Sequence, residues 1–315
     1  MELRKDYVLD RWVIISTGRA ARPKEFKKTD AVEKSDGSCF FCPGNEAKTP
    51  PEIYRVEKDG SWVVRVFPNK FPAVVPYKKI ISNRPFLKAV SAFGKHEVII
   101  ETPAHNKQLW DLSTDEIAVV LDVYKKRVAA LSKVKGISYV SVFKNHGPLA
   151  GTSLIHSHTQ VVAYGKIPNL VAAECKASIK KKKCLYCEII DEEMQSDRRV
   201  YENKSFAAFC PYASRFNYEV WIFPKKHVTN ITKLDSAELN LLADVLRKIL
   251  LGMKKINCSY NFFLHISPKK ENLHFHIEVC PRISTWAGFE ISTDDIINSV
   301  SPEDAARFYR SQSFK

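Results

Sequence analysis

Apolar and polar positions follow the same pattern in two windows of the chain, residues 97–116 and residues 219–238, which are offset by 122 positions. Each window begins with an apolar run that predicts a strand, and a histidine follows it, His105 in the first window and His227 in the second. Near its end each window has a Leu-Ser or Leu-Asp pair, which is typical of the residues just before a helix. The chain therefore repeats one local design.

Other landmarks also occur twice and in the same order. A Cys-x-x-Cys pair opens each half, an aromatic-rich strand follows each predicted helix, and a strand with a His-x-His pair closes each half. The helices are predicted at 114–133 and 236–254, the aromatic strands at 138–143 and 259–264, and the pairs are Cys39/Cys42 with His156/His158 and Cys184/Cys187 with His274/His276. We therefore predict an α+β fold of two tandem units, 1–168 and 169–315, each an antiparallel sheet with one long packed helix.

The Cys-x-x-Cys pairs predict two metal sites. The chain has eight cysteines but begins with a charged segment instead of a secretory signal, and in that setting such pairs favour metal over disulfides. Zinc takes four cysteine or histidine ligands in a tetrahedron, and a site with four protein ligands is structural because no position is open. The ligands assigned are Cys39, Cys42, His105 and His156 in the first half, and Cys184, Cys187, His227 and His274 in the second. Reduced core cysteines are the alternative.

His158 is the histidine of the first pair that the metal assignment leaves for chemistry. Alternation along a strand places His156, His158 and Gln160 on one face. The loop before them, residues 145–153, is rich in small residues that let backbone N–H groups approach an anion. A neutral imidazole can attack phosphorus and divide one displacement into two. The matching segment of the second half lacks the glycines and the glutamine, so only the first half is expected to carry a nucleophile. A core histidine is the alternative.

The net charge of +14 admits two kinds of partner, nucleic acid or a small phosphorylated anion. No recognition helix with a basic face is visible, and the aromatic residues fit core strands, so a basic zinc-bearing nucleic-acid-binding protein is the weaker hypothesis. No run of about 18 apolar residues predicts a membrane span. The charged start of the chain predicts a cytoplasmic location.

These motifs resemble those of the galactose-1-phosphate uridylyltransferase family, a duplicated branch of the histidine-triad superfamily. The resemblance rests on His-x-His-x-Gln after an Asn-x-Gly…Gly-x-Ser loop, on "RWVIISTGRAARP", on "VFPNKFPAV" and on "WAGFE". It implies two histidine-triad-like units, a covalent nucleotidyl group on His158, and phosphoryl oxygens held by Gln160. It also implies nucleotide contacts at Arg19, Arg22, Asn69, Asn145, Gly151 and Ser153, and hexose contacts on a C-terminal strand at Phe289 and Glu290.

The chain departs from common members of this family in two places. It reads His-Ser-His-Thr-Gln where they read His-Pro-His-Gly-Gln, and its second Cys-x-x-Cys pair resembles the branch that includes the plant ADP-glucose phosphorylase. Elsewhere in the family the second metal is held by a glutamate and three histidines, here Glu174, His265, His274 and His276. The internal repeat favours the Cys-Cys-His-His set. Zinc is expected at both sites, with iron as the alternative at the second.

The resemblance implies a hexose-1-phosphate nucleotidyltransferase that works through a covalent nucleotidyl-histidine. The expected substrates are UDP-glucose and galactose-1-phosphate, and the family implies a homodimer. Inorganic phosphate is the alternative acceptor, as in a phosphorylase of the ADP-glucose type, and the sequence does not separate uracil from adenine. Related triad proteins release the nucleotide to water, so a nucleotide hydrolase is a third possibility.

Overall fold

The protein is described by a computed structural model that covers residues 1–7, 12–17, 37–180 and 183–312, with residues 179 and 180 as backbone alone. Within these ranges the first half has nine strands and one long helix. They are β1 (Glu2–Lys5), β2 (Trp12–Ile15), β3 (Tyr54–Lys58), β4 (Ser61–Pro68), β5 (Ile80–Arg84), β6 (Leu87–Ser91), β7 (Gly94–Ile100), α1 (Thr114–Leu131), β8 (Tyr139–His146) and β9 (His158–Tyr164).

The second half contributes seven strands and five helices to the described part of the chain. They are α2 (Asn169–Ser178), β10 (Ile179–Lys180), β11 (Lys183–Cys184), α3 (Leu185–Glu193), β12 (Arg199–Glu202), β13 (Phe206–Phe209), β14 (Val220–Pro224), α4 (Ser236–Lys255), β15 (Tyr260–His265), β16 (His276–Pro281), α5 (Gly288–Thr293) and α6 (Pro302–Ser311).

One antiparallel sheet of ten strands runs through both halves, in the order β12-β13-β14-β16-β15-β8-β9-β7-β4-β3. Five strands come from each half, and the halves meet where β8 pairs with β15, with Asn145 opposite Asn261 and Phe143 opposite Phe263. The predicted α+β fold of tandem units is confirmed. The pairing adds that the two units join edge to edge into a single sheet.

The two long helices, α1 and α4, pack against each other and against this sheet, and one apolar core contains residues of both halves. Each helix begins at a capping box: Ser113 accepts from the Glu116 N–H at 3.2 Å, and Asp235 accepts from the Glu238 N–H at 2.8 Å. Both predicted starts are confirmed. Core side chains such as Leu246 are fully buried, so truncation to alanine there costs about 2–5 kcal/mol of stability.

A smaller sheet, in the order β2-β1-β6-β5, lies beside β9 of the large one. Leu3 of β1 clusters with Val74, Ala92 and Val162, and Val162 belongs to β9. This sheet therefore supports the outer end of the strand that begins at His158.

The predicted loop 145–153 and the strand around it have different limits in the structure. β8 continues through Asn145 and His146 because these residues pair with Asn261 and Tyr260 of the other half. The loop therefore begins at Gly147, whose φ of 79° lies in the left-handed region. β9 begins only at His158, so His156 precedes the strand instead of lying within it.

The predicted C-terminal strand around "WAGFE" is wrong. Residues Phe289 and Glu290 lie in the short helix α5. The Glu290 carboxylate accepts from the Ala287 N–H at 3.0 Å, and the Thr293 hydroxyl donates to the Phe289 carbonyl at 2.8 Å. These local hydrogen bonds favour a helical turn at this position.

Candidate active site and metal sites

His158 lies at the first residue of β9 and is oriented by its own backbone. Its Nδ1 lies 2.8 Å from the carbonyl oxygen of His156, an acceptor, so the neutral ring carries its proton on Nδ1 and its lone pair on Nε2. The side chain is 8% exposed and lines a cavity of about 110 Å³. A ring nitrogen with a lone pair and a fixed tautomer thus lies at a cavity wall, as the predicted chemistry requires.

The cavity combines an apolar wall with polar and cationic groups. A flat aromatic wall suits a nucleobase, and lysines with hydroxyl and amide groups suit phosphate oxygens. The apolar lining is Phe40, Phe41, Pro50, Phe67, Phe71, Val98 and Leu154, and the polar lining is Lys48, Thr49, Asn69, Lys70, Ser153, His158 and Gln160. Among these, Asn69, Ser153, His158 and Gln160 are predicted from the sequence, whereas the aromatic wall is not.

Gln160 contacts His96, a residue that sequence reasoning misses. The Gln160 Oε1 lies 3.0 Å from His96 Nε2 and 3.4 Å from Asn69 Nδ2. A single histidine in the apolar strand β7 carries no local signal, because only the pairing of β7 with β9 brings it to Gln160.

A buried ion pair contacts the backbone of His158. Lys144 donates to Glu101 at 2.5 Å, to the Ser157 hydroxyl at 2.9 Å and to the His158 carbonyl at 3.3 Å. Burial alone would raise the pKa of Glu101, but the charge and hydrogen bonds of Lys144 and the Ser157 and Thr159 hydroxyls lower it. The carboxylate is therefore charged, and the pair holds the backbone of residues 157–159.

The first predicted metal set is brought together by the fold. The ligand atoms of Cys39, Cys42, His105 and His156 all lie within 4.8 Å of one another. His156 Nδ1 is 3.7 Å from the Cys39 sulfur and 3.6 Å from the Cys42 sulfur, and His105 Nδ1 is 3.4 Å from the Cys42 sulfur. Ligands of a tetrahedral zinc ion are separated by about 3.5 Å when the bonds are about 2.0–2.3 Å long, so the set fits.

His156 is prepared to act as a neutral ligand. Its Nε2–H donates to the Thr102 carbonyl at 2.8 Å, which leaves the Nδ1 lone pair facing the sulfurs. Burial lowers its pKa to about 4, so the ring is neutral at pH 7. The turn between the cysteines also supplies Phe41, whose ring lies 5.4 Å from the His158 ring. The turn between Cys39 and Cys42 therefore contributes part of the cavity wall.

The second predicted set repeats this arrangement. Cys184, Cys187, His227 and His274 bring their ligand atoms within 4.8 Å of one another. His227 Nδ1 and His274 Nδ1 lie 3.5 Å and 3.6 Å from the Cys187 sulfur, and the His274 Nε2–H donates to the Pro224 carbonyl at 3.0 Å. Burial lowers the pKa of His274 to about 4. The repeat thus extends to the carbonyl that orients the histidine.

The alternative set of one glutamate and three histidines is not gathered as a unit. His274 lies with the cysteines, whereas Glu174, His265 and His276 lie with Glu278 in a separate cluster. Within it, His265 Nδ1 is 2.6 Å from Glu174. Burial raises the pKa of Glu278, but the neighbouring His276 and the charges nearby lower it more, so that this pKa is about 2. This cluster is a third group of side chains that could hold a metal ion.

Aromatic rings surround the His-x-His pair of the second half. His276 takes the place of His158, and the rings of Phe223, Tyr186 and His265 lie 4.6, 5.1 and 4.6 Å from its ring. Glu278 takes the place of Gln160. In the second half, rings therefore pack against the histidine that corresponds to His158.

The remaining predicted substrate contacts lie in three different settings. Arg19 and Arg22 lie outside the described residues. Asn145 Oδ1 accepts from Asn261 of the second half at 2.9 Å, and Gly151 follows in the loop with a φ of 79°. Phe289 and Glu290 do not line the cavity; Phe289 is 52% exposed on α5.

No helix in the described ranges has the length and apolar character needed to cross a membrane.

Comparison with known proteins identifies two family models that match this chain. A family model described as galactose-1-phosphate uridyl transferase, N-terminal domain, matches residues 1–168, and one described as a domain of unknown function matches residues 89–309.

Two curated relatives match over nearly the whole chain. An ADP-glucose phosphorylase of Arabidopsis thaliana is 35% identical over 99% of this chain and 93% of its own. A galactose-1-phosphate uridylyltransferase of Thermotoga maritima is 30% identical over 98% of both chains. The crystal structure of an Arabidopsis thaliana ADP-glucose phosphorylase with bound ADP-glucose superposes with a TM-score of 0.77, at 33% identity over 100% of both chains.

Proposed function

The chain belongs to the galactose-1-phosphate uridylyltransferase family, and from this premise we propose that it transfers a nucleoside monophosphate between two acceptors through a covalent bond to His158. The observation that carries the proposal is the fixed tautomer of His158 at the cavity wall. Its Nδ1 proton is tied to a carbonyl, so Nε2 is the nitrogen with a lone pair for phosphorus.

The proposed reaction has two displacements at the same phosphorus. His158 Nε2 attacks the α-phosphorus of a nucleotide sugar, the bond from that phosphorus to the bridging oxygen breaks, and hexose-1-phosphate leaves with the bond electrons. The acceptor phosphate oxygen then attacks the same phosphorus and the phosphorus–nitrogen bond breaks, which returns the lone pair to Nε2. Gln160 and the cavity lysines, Lys48 and Lys70, stabilise the phosphoryl oxygens. The N-terminal half, 1–168, carries this machinery, and 169–315 carries the duplicated fold.

The proposed acceptor is a hexose-1-phosphate, with UDP-glucose as the donor. The name of the Thermotoga maritima relative and the matched family model support it. The second candidate is phosphorolysis of an ADP-glucose-type nucleotide sugar. The 35% identity to the plant phosphorylase and the second cysteine pair support that candidate.

Two structural zinc ions per chain belong to the proposal. The cysteine and histidine sets fit tetrahedral coordination, and four protein ligands leave no open position for chemistry. When bound, each ion ties a Cys-x-x-Cys segment to the core sheet. Iron is the alternative at the second site. The homodimer and the cytoplasmic location stay predictions.

The experiment that separates the two substrate pairs has two stages. Intact-protein mass spectrometry after incubation with UDP-glucose or with ADP-glucose identifies the nucleotide by the added mass. Galactose-1-phosphate and inorganic phosphate are then offered to the modified protein. The main proposal predicts a uridylyl adduct discharged by the sugar phosphate; an adenylyl adduct discharged by inorganic phosphate would replace it with the second candidate. No adduct from either donor would contradict both.

A further inference from the structure

We infer that His96 is a positioning residue that fixes the Gln160 side-chain amide as an N–H donor facing the substrate. The inference rests on the proposed function, because Gln160 lines the same cavity as His158. His96 is 5% exposed and Gln160 is 7% exposed, so protein groups rather than bulk water determine their orientations.

The proton position on His96 follows from a backbone contact. The Ala73 N–H donates to His96 Nδ1 at 3.1 Å, so Nδ1 carries the lone pair of the neutral ring. The ring proton is therefore on Nε2, which lies 3.0 Å from Gln160 Oε1. A backbone N–H cannot act as an acceptor. It therefore fixes Nδ1 as the acceptor nitrogen of this ring and Nε2 as the donor nitrogen.

Asn69 supplies a second donor at the same place. The Phe71 N–H donates to Asn69 Oδ1 at 2.8 Å, which turns Asn69 Nδ2 toward His96 Nε2 at 3.2 Å and toward Gln160 Oε1 at 3.4 Å. Because His96 Nε2 carries the ring proton and cannot accept, the Asn69 N–H is left to Gln160 Oε1. Two N–H donors thus converge on one terminal atom of Gln160. That atom is the oxygen, because two donors facing an NH₂ group would repel it.

The amide nitrogen of Gln160 consequently occupies the other terminal position of the carboxamide, away from His96 and Asn69. Phosphoryl oxygens accept hydrogen bonds and never donate when ionised, so an NH₂ group aimed at them stabilises charge whereas a carbonyl oxygen repels it. A carboxamide without this anchoring can rotate and present either end. His96 thereby acts through Gln160 without contacting the substrate.

Two near-isosteric variants of His96 separate this role from simple packing. His96→Gln keeps an N–H donor near the position of Nε2, whereas His96→Asn keeps an acceptor near Nδ1 but has no donor within reach of Gln160. With saturating nucleotide sugar, we expect His96→Asn to slow adduct formation about tenfold to a hundredfold with little change in the half-saturating concentration. His96→Gln should stay within about threefold of the wild type.

The same two variants are made in a Gln160→Ala background, with thermal unfolding measured for every protein. Because His96 acts through Gln160, His96→Asn should have almost no further effect on the rate there. A wild-type rate in His96→Asn, or the same loss with and without Gln160, would overturn the inference while adduct formation by the wild type still supports the proposed function. A wild type that forms no adduct overturns the proposed function and the inference together.

Discussion

His158 donates a hydrogen bond of 2.8 Å from Nδ1 to the carbonyl of His156. The ring of His156 faces the two cysteine sulfurs with its own Nδ1 and donates from Nε2 to Thr102. One short segment therefore positions a proposed metal ligand with its side chain and the proposed nucleophile with its backbone. A metal ion bound by His156 would fix the carbonyl against which His158 is oriented.

The two histidines of this segment should fail in different ways when they are replaced. His158→Asn should fold normally but lose turnover, because an amide cannot form the bond to phosphorus. His156→Asn should lower the metal content and the melting temperature, because a ligand is lost. Metal analysis, thermal unfolding and activity are measured on both variants. Identical behaviour of the two would contradict the division of tasks along this segment.

Two tightly held zinc ions per chain are expected by elemental analysis. Cys187→Ala should remove one ion, and Glu174→Ala, which alters the separate cluster, should remove none. Binding should weaken as the pH falls, because protons compete with the metal for the thiolates and imidazoles. A metal ion lost in Glu174→Ala but retained in Cys187→Ala would transfer the second site to the carboxylate and histidine cluster.

His146 should make the fold sensitive to acid. Burial lowers its pKa to about 3 from a usual value of 6.5, so between these values the unfolded chain binds a proton that the folded protein does not. Stability contributed by the neutral ring is complete above pH 6.5 and is lost as the pH falls.

His146→Phe keeps a ring against Trp110 and Tyr260 but cannot titrate. Between pH 7 and pH 5 the wild type should lose about 2 kcal/mol relative to this variant, as measured by urea unfolding. A difference between the two proteins that does not change with pH would exclude His146 as the titrating group.

Removing one partner of the buried Lys144–Glu101 ion pair should lower the stability more than replacing both partners by neutral residues. Lys144→Met leaves a buried carboxylate without its cation and should cost about 3–5 kcal/mol of stability. Adding Glu101→Gln to Lys144→Met should restore part of this loss, because no uncompensated charge remains. Chemical unfolding of both variants tests the coupling. A double variant that is less stable than Lys144→Met would contradict it.

Local signals made several features predictable from the sequence. The starts of α1 and α4 depend on capping boxes within four residues, Ser113 to Glu116 and Asp235 to Glu238. The cysteine and histidine sets are equally predictable, because the repeat places each histidine near the end of a matching strand and strand pairing then gathers the set. The α5 helix shows the limit of a motif match, since the Glu290 cap overrides the expected strand.

Non-local pairing accounts for the features that the sequence does not reveal. The extension of β8 through Asn145 and His146 depends on β15, more than one hundred residues later. His96 meets Gln160 only because β7 and β9 are neighbours. The aromatic wall of the cavity combines Phe40 and Phe41, from the turn between the first two cysteines, with Phe67 and Phe71. No spacing rule in the sequence connects these two pairs.

The central claim is that one histidine carries the nucleotidyl group between two half-reactions. The protein is incubated with nucleotide sugar labelled in the α-phosphate, without any acceptor, and the denatured chain is isolated. A phosphorus–nitrogen bond is stable in alkali and labile in mild acid, so the account predicts protein-bound label that survives alkali, is released by acid and is absent from His158→Asn. Unlabelled wild-type protein, under conditions where the complete reaction turns over, would contradict the account and assign His158 to phosphate positioning or proton transfer in a direct displacement.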